Sequence, residues 1–189
     1  MITARPSLGS DLARLQNVFK TLASRDHPRR GQAFKVRDEI SLNWRRSAEK
    51  DEWFPWPSTA VPRGPTIGKL SVSDWRPMGM LKLLGYHVGE TQPLHPSIRE
   101  SILEYAFEHH LPPVGDAIYF HEWGEPRSSR RLRKLANTLA SLTRNAKKRD
   151  PWSLSRAIRE WEQDLMFLHE RYYIHVFHFG WPETEPFDT

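Results

Sequence analysis

The sequence predicts a mainly α protein with four to five helices, a C-terminal antiparallel αα-hairpin and little or no β-sheet. Apolar residues recur at three- and four-residue steps in several segments, which is the period of a helix that packs on one side. The 15 prolines fall mostly between those segments, so we expect irregular proline-rich connections. A length of 189 residues suits one domain, and no internal repeat is present.

The first two helices are predicted over about residues 10–24 and 33–50. The first has apolar residues at helical spacing behind a Ser-Asp pair suited to capping. The second is less regular, but its polar residues are strong helix formers. We therefore predict that residues 1–52 form a helical extension, which packs on or beside a main helical domain of residues 53–189.

A Trp/Pro-rich strap is predicted to close the core. It begins with Trp53-Phe54-Pro55-Trp56-Pro57, extends to Pro65 and contains four prolines. Tryptophan side chains are costly to leave in water, which favours a segment pinned across the helices. A free linker is the alternative.

Two further helices are predicted in the middle of the chain. The first is short, ends at Leu84 and places Gly85 where a left-handed residue is wanted. The second has Ser97 and Glu100 at capping-box spacing and ends near His110. Together they resemble a helix-turn-helix in outline. Their connection of about a dozen residues is longer than the three to four residues of the DNA-reading motif.

The C-terminal hairpin is predicted from two long apolar stripes that meet at Asp150-Pro151. A serine can cap the first helix, and Asp150 can cap the second with proline at its first position. So short a connection makes segments 128–149 and 151–172 antiparallel neighbours. The alternating aromatic segment 173–179 is predicted to be extended.

Positive charge is concentrated in the first helix of this hairpin. The segment from Arg127 to Arg149 holds nine Lys or Arg residues and no Asp or Glu, whereas the net charge of the whole chain is +5. At 100° per residue, one side of the helix collects basic, amide and hydroxyl side chains, and we call it the basic face. Its members are Arg130, Arg133, Lys134, Asn137, Ser141, Arg144, Asn145 and Lys148.

The basic face has three interpretations at this stage. It is a solvated surface, a nucleic-acid surface, or a contact for an acidic protein partner. In the second case the five cations would neutralise phosphates, and the amides and the hydroxyl would add hydrogen bonds that set the position. Uneven charge of this kind favours a directed electrostatic surface over general basicity.

No catalytic site, metal site or cofactor is predicted. The sequence has no Gly-rich nucleotide loop, no nucleophile elbow and no cysteine. Glu160 and Asp164 share one side of the second hairpin helix. We expect them to form an exposed acidic flank that pairs in part with Arg131 and Arg149 of the first. The histidines match no metal-ligand spacing and are expected to be packed or hydrogen-bonded side chains.

Six stretches of the chain carry a resemblance. They are Trp56-Pro57-Ser58-Thr59, Leu84-Gly85-Tyr86-His87-Val88-Gly89, Glu122-Trp123-Gly124-Glu125-Pro126, Arg131-Leu132-Arg133-Lys134-Leu135-Ala136-Asn137, Arg144-Asn145-Ala146-Lys147-Lys148-Arg149 and Trp161-Glu162-Gln163-Asp164-Leu165. They resemble a family of short bacterial proteins of unassigned function. The resemblance implies a bacterial origin, associated with mobile elements or defence, and one coherent domain over about residues 53–182. It implies no catalytic residue.

The expected function is that of a small non-enzymatic nucleic-acid-binding or nucleic-acid-associated accessory protein. The alternative is an interaction subunit of a larger bacterial assembly, in which the basic face meets an acidic partner surface. The chain has no apolar run of the about 20 residues that span a membrane and no signal-peptide core, so a cytoplasmic protein without membrane contact is expected. DNA and RNA are equally open, and so is the oligomeric state.

Overall fold

The structure is a computed structural model that describes residues 7–55, 79–91, 93–115 and 117–186. Within these residues the protein is mainly α, as predicted, with seven α-helices and no strand. The predicted count of four to five is too low, because two short helices add to five long ones. The helices are α1 (Leu8–Ala23), α2 (Arg30–Glu49), α3 (Met80–Leu83), α4 (Pro96–Glu108), α5 (Ala117–Trp123), α6 (Ser129–Arg149) and α7 (Ser155–Leu168), followed by a π-helical turn at His169–Tyr173.

The two N-terminal helices share a core with α4. Ser7 caps α1 by accepting a hydrogen bond from the backbone N–H of Ser10, so the helix begins slightly earlier than predicted. Phe19 of α1 and Trp44 of α2 are each 1% exposed. Their rings meet Tyr105 of α4 edge-on, with centroids 5.6 and 6.1 Å apart. Edge-to-face contacts of this kind add to the free energy gained by burying the rings.

The helix that carries the basic face is built as its sequence predicts. The Ser128 hydroxyl oxygen accepts from the backbone N–H of Arg131 at 3.2 Å, which confirms the capping prediction. α6 packs against α7, and residues 150–154 join the two helices. Most of the predicted apolar stripe of α6 is buried, namely Leu132, Leu135, Ala136, Leu139, Thr143 and Ala146, together with Ala140. Leu142, another residue of the predicted stripe, is 39% exposed.

The start of α7 differs from the prediction. Asp150 makes the predicted capping hydrogen bond, since its carboxylate accepts from the backbone N–H of Ser153 at 3.1 Å, but residues 151–154 form turns and not the first turn of the α-helix. The backbone N–H of Leu154 donates to the Asp150 carbonyl at 3.2 Å in the same turn. α7 begins only at Ser155.

The predicted extended segment at residues 173–179 is wrong. The chain continues from α7 through the π-helical turn and a further turn, and the described residues offer no strand for it to pair with. Aromatic contacts explain the compact path. The ring of Tyr173 lies 5.0 Å from that of Phe179 and 4.7 Å from that of Trp181. These contacts fold the C-terminal segment back towards α6 and α7.

A buried ionic network links α4 to α7. Arg99 Nε donates to Asp164 Oδ2 at 2.8 Å, and the Tyr86 hydroxyl donates to the same oxygen at 2.5 Å. Arg99 Nη1 lies 3.6 Å from Glu160 Oε1, and the other oxygen of Glu160 accepts from the Gly89 N–H at 2.7 Å. The expected exposed acidic flank is therefore wrong, because both carboxylates compensate the charge of a buried arginine.

The Trp/Pro-rich strap lies mostly outside the described residues. At its start, Trp53 meets Phe120 edge-on with ring centroids 5.5 Å apart, and Phe54 forms a parallel backbone bridge to Val114.

No described helix combines the length and the apolar character that crossing a bilayer requires.

Leu139→Asp should unfold the domain, because Leu139 is fully buried in the stripe of α6. An unpaired charge there costs several kcal/mol, which is comparable with the whole stability of a typical domain. Leu142→Asp is the matched control, since Leu142 lies on the same helix and is 39% exposed. Thermal unfolding followed by circular dichroism compares the two. Equal melting temperatures for both variants would contradict the burial of the stripe.

Stability should fall between pH 7 and pH 5 because of His109. Burial lowers the pKa of His109 to about 4, so the unfolded chain takes up a proton near pH 6.5 that the folded protein does not bind. The loss amounts to about 2 kcal/mol over this range. His109→Phe keeps an aromatic ring stacked on Tyr105 and should remove this part of the pH dependence.

Urea unfolding of both proteins at pH 7 and pH 5 measures the difference. Burial raises the pKa values of Asp164 and Glu104, which change stability in the opposite sense, but these groups are common to both proteins. An unchanged pH dependence in His109→Phe would show that His109 takes up its proton equally well in the folded protein.

Candidate nucleic-acid interface

One arginine of the basic segment belongs to the core. Arg131 is 1% exposed, and its guanidinium donates to carbonyls at the C-terminal ends of α4 and α5. Nη1 reaches the Ala106 and His109 carbonyls at 2.7 and 3.2 Å, Nε reaches that of Trp123 at 3.0 Å, and Nη2 reaches that of Gly124 at 2.6 Å. Burial lowers the pKa of Arg131 to about 10, so it keeps its charge at neutral pH.

The expected pairing of Arg131 with the carboxylates of α7 is therefore wrong. The last carbonyls of a helix lack partners within the helix and carry partial negative charge, so two helix ends can stabilise one guanidinium. Glu160 and Asp164 are already bound to Arg99. Arg149, the other predicted partner, is exposed at the end of α6.

Five members of the basic face are exposed to solvent. The side chains of four of them have no hydrogen bond or ion pair with any described residue. These four are Arg130, Asn137, Asn145 and Lys148. The fifth, Arg133, lies over the ring of Phe179, with its guanidinium carbon 4.8 Å from the ring centroid. This contact leaves the hydrogen-bond donors of Arg133 available, because it involves the face of the guanidinium.

Arg130 is held at its base by a close approach to Gly124. The side-chain carbons of Arg130 lie within 3.0 Å of the position that a Cβ on Gly124 would take. Gly124 also has a φ of +71°, a conformation that glycine adopts without strain. A larger residue would therefore displace the arginine.

The other three members of the basic face are bound within the protein. Lys134 Nζ lies 2.7 Å from Glu122 Oε2 of α5. Arg144 donates from Nη2 to the Ser141 hydroxyl at 3.2 Å and from Nη1 to the carbonyl of Glu183 in the C-terminal segment. The predicted set of eight therefore separates into an exposed group and a group engaged by neighbouring segments.

The C-terminal segment reaches the edge of α6 through Lys147 as well. Its Nζ lies 2.8 Å from Glu162 of α7 and 2.6 Å from Glu185, and the Thr184 hydroxyl donates to Glu162 at 3.1 Å. Burial opposes the charged form of Lys147, but the hydrogen bonds that its ammonium donates to both carboxylates raise its pKa overall. Acidic groups thus line one edge of α6 near its C-terminal end and compensate the charge of Lys147.

Among the histidines, His109 and His169 pack against aromatic rings as expected, whereas His175 and His178 are exposed and have no side-chain hydrogen bond or ring contact with a described residue. His109 stacks on Tyr105 with ring centroids 5.0 Å apart, and His169 lies 4.9 Å from Trp181. Within the described ranges, no three His, Asp or Glu side chains are grouped so that they could hold a metal ion.

Sequence reasoning missed one exposed residue at the end of this surface. Trp152, in the turn between α6 and α7, is 89% exposed. The available signal was its position just before the apolar stripe of α7, which begins at Leu154 and therefore leaves Trp152 outside the core. Arg159 of α7 is exposed too and has no ion pair with a described residue.

Comparisons with protein-family models, curated proteins and solved structures found no match to this chain. The resemblance to short bacterial proteins therefore stays an expectation.

Arg131→Lys should destabilise the protein by about 2–4 kcal/mol, because an ammonium group cannot serve carbonyls at the ends of two helices. Arg149→Lys is the control, since it makes the same chemical change at an exposed position of the same helix, where effects are usually within about 0.5 kcal/mol. Urea unfolding monitored by circular dichroism measures both. Equal stabilities would mean that the hydrogen bonds of the buried guanidinium contribute nothing that lysine cannot replace.

Proposed function

We propose that this chain is a small non-enzymatic protein that binds nucleic acid through the exposed side of α6. The observation that carries the proposal is a 21-residue helix without a single Asp or Glu, on which Arg130, Arg133 and Lys148 point into solvent. Exposed cations without acidic neighbours on the same helix attract phosphates, and they release condensed counterions when they bind them.

The dimensions of the surface support a contact with several phosphates. Arg130 and Lys148 are separated by about 27 Å along the helix axis, at 1.5 Å per residue. That length corresponds to about eight base pairs of duplex DNA along its axis. With only three or four exposed cations over this length, we expect weak, salt-sensitive and largely sequence-independent binding.

The exposed amides would add hydrogen bonds that set the position of the nucleic acid on α6. Asn137 and Asn145 lie between the terminal cations and have no partner among the described residues. An amide can donate to a phosphate oxygen and accept from a sugar or base. Lys134, Ser141 and Arg144 remain part of the proposed surface, but their existing contacts give them a smaller role.

The antiparallel hairpin is part of the proposal as the rigid support of this surface. α7 packs against α6, and the short connection at residues 150–154 is the length that antiparallel neighbours need. A nucleic-acid-binding protein of this kind would act in the cytoplasm.

The alternative is an interaction subunit that presents the same side of α6 to an acidic protein surface. Arg133, stacked on Phe179, would suit such a contact, because a guanidinium on an aromatic ring is partly desolvated and held in place. The two functions separate in a binding experiment with purified nucleic acid.

Binding of fluorescent duplex and single-stranded oligonucleotides, followed by anisotropy between 50 and 200 mM salt, should show a steep salt dependence. For about three phosphate contacts, the slope of log K against log salt is about −2.7 on duplex DNA and about −2.1 on a single strand. Affinity for duplex DNA should then fall about 40-fold over this range. Replacing Arg130, Arg133 and Lys148 together with Gln should remove most of the slope and preserve the helix.

The matched control replaces Lys35, Arg46 and Lys50 with Gln, which removes the same three charges from exposed positions at α2. This variant should keep the slope of the native protein. Equal loss in both triple variants would mean that total charge, rather than α6, drives binding. No binding to DNA or RNA at about 100 μM protein and 50 mM salt, where non-specific association is normally visible, would reject the proposal and favour the protein partner.

A further inference from the structure

The turn between α6 and α7 holds a tryptophan out in solvent. Trp152 is 89% exposed, whereas Trp44 and Trp123 are 1% and 2% exposed. The turn is ordered by several hydrogen bonds, since the backbone N–H of Ser153 meets the Asp150 carboxylate at 3.1 Å and that of Ser155 meets the Trp152 carbonyl at 3.3 Å. Pro151 restricts the backbone further. The indole therefore projects from a fixed base.

Because Trp152 stays exposed in the folded protein, its side chain contributes little hydrophobic free energy to folding. An indole can bury about 150–250 Å² of mainly apolar surface, so its exposure forgoes several kcal/mol of stabilisation. A single exposed apolar residue is common on a protein surface, and exposure alone indicates no function. The surroundings of Trp152 make the difference.

Cations lie on both sides of this tryptophan along the chain. Lys148 and Arg149 precede it in the last turn of α6, and Arg159 follows it in α7, all three exposed. Lys148 and Arg159 have no ion pair or hydrogen bond with a described residue. Trp152 thus follows, four residues along the chain from Lys148, the end of the row of exposed cations that begins at Arg130, so that an exposed aromatic ring comes directly after that row in the sequence.

We propose that Trp152 is a base-stacking residue and that the surface of α6 prefers single-stranded nucleic acid. The inference rests on the proposed function, and it names the class of nucleic acid for the same surface. In this arrangement, phosphates of one strand meet Arg130, Arg133 and Lys148, and an unpaired base lies against the indole of Trp152. Every base has a π face, so the contact tolerates any sequence.

Single strands fit this surface better than duplexes because of base accessibility. In a duplex, the faces of the bases are covered by their neighbours, and a protruding indole reaches only the backbone or a duplex end. In a single strand, a base turns out of its stack at small cost and covers the indole. Aromatic side chains combined with cations that follow the backbone are the usual means of binding single strands.

A lipid surface is the competing occupant for a tryptophan among cations. Membrane-binding helices present a continuous apolar side to the acyl chains. Among the described residues of α6, Leu142 is the large apolar side chain exposed beside this row, at 39%. The members of the row itself are charged or amide side chains. The area that Trp152 alone can insert is small, so the geometry favours a base.

The experiment compares native protein with Trp152→Ala and Trp152→Phe on a 20-nucleotide mixed-sequence single strand and on a hairpin duplex with closed ends. Trp152→Ala should weaken binding to the single strand by about 5- to 150-fold, the range for loss of one aromatic–base stack. Binding to the duplex should change less than about twofold. Trp152→Phe should retain most single-strand affinity, because phenylalanine also stacks. Ile118→Ala, which truncates a side chain that is 78% exposed on α5, is the control and should change neither affinity.

The outcomes separate this inference from the proposed function. If native protein binds neither oligonucleotide, the proposed function fails and the inference fails with it. If native protein binds with the expected salt dependence but Trp152→Ala weakens both forms equally, or neither, the proposed function stands and the stacking role is wrong. If vesicles with 30% anionic lipid shift the tryptophan emission to the blue in native protein but not in Trp152→Phe, and oligonucleotides do not compete, the indole is a lipid anchor. Unchanged melting temperatures confirm that the variants are folded.

Discussion

The buried guanidinium of Arg131 is the interaction on which the arrangement of the other helices depends. It joins the C-terminal ends of α4 and α5 to the first turns of α6 through hydrogen bonds to four carbonyls, including those of Ala106 and Trp123. A charge buried without a carboxylate partner is tolerated only where dipoles surround it, and two helix ends supply them here. Arg131 points inward and fixes the rotation of α6, and Arg130 and Lys148, which both lie about 100° from it around the helix axis, point outward.

Much of the α6 pattern could be predicted from the sequence, because it depends on local interactions. The cap at Ser128 and the buried stripe through Leu139 follow from residues within the same helix. The path after α7 could not be predicted in this way. A period-two pattern from Tyr173 to Phe179 is compatible with a strand, but contacts between the ring of Tyr173 and those of Phe179 and Trp181 outweigh that preference. Such contacts depend on where the chain turns, which no short window contains.

The roles of individual charges were also hidden from sequence reasoning. Asp164 and Glu160 have the spacing of an exposed acidic flank, yet Asp164 is bound to Arg99, 65 residues away along the chain. A carboxylate and an arginine that far apart show no pattern that distinguishes a buried pair from two solvated groups. The sequence likewise does not distinguish the exposed cations of the candidate site from those that are bound within the protein. Lys134 and Arg144 resemble Arg130 in sequence, and only the fold places Glu122 beside Lys134 and the C-terminal segment beside Arg144.

These partners reduce the repulsion between like charges within α6. Arg130 and Lys134 are four residues apart, as are Arg144 and Lys148, and like charges at this spacing destabilise a helix by about 0.2–0.5 kcal/mol per pair. In each pair the inner member is compensated, Lys134 by Glu122 and Arg144 by the carbonyl of Glu183. The outer members receive no such compensation from the described residues, and Arg130 lies in the first turn of α6, where the positive end of the helix dipole disfavours a cation. An anionic group bound at Arg130 would offset that cost, and binding would therefore stabilise the same helix that forms the surface.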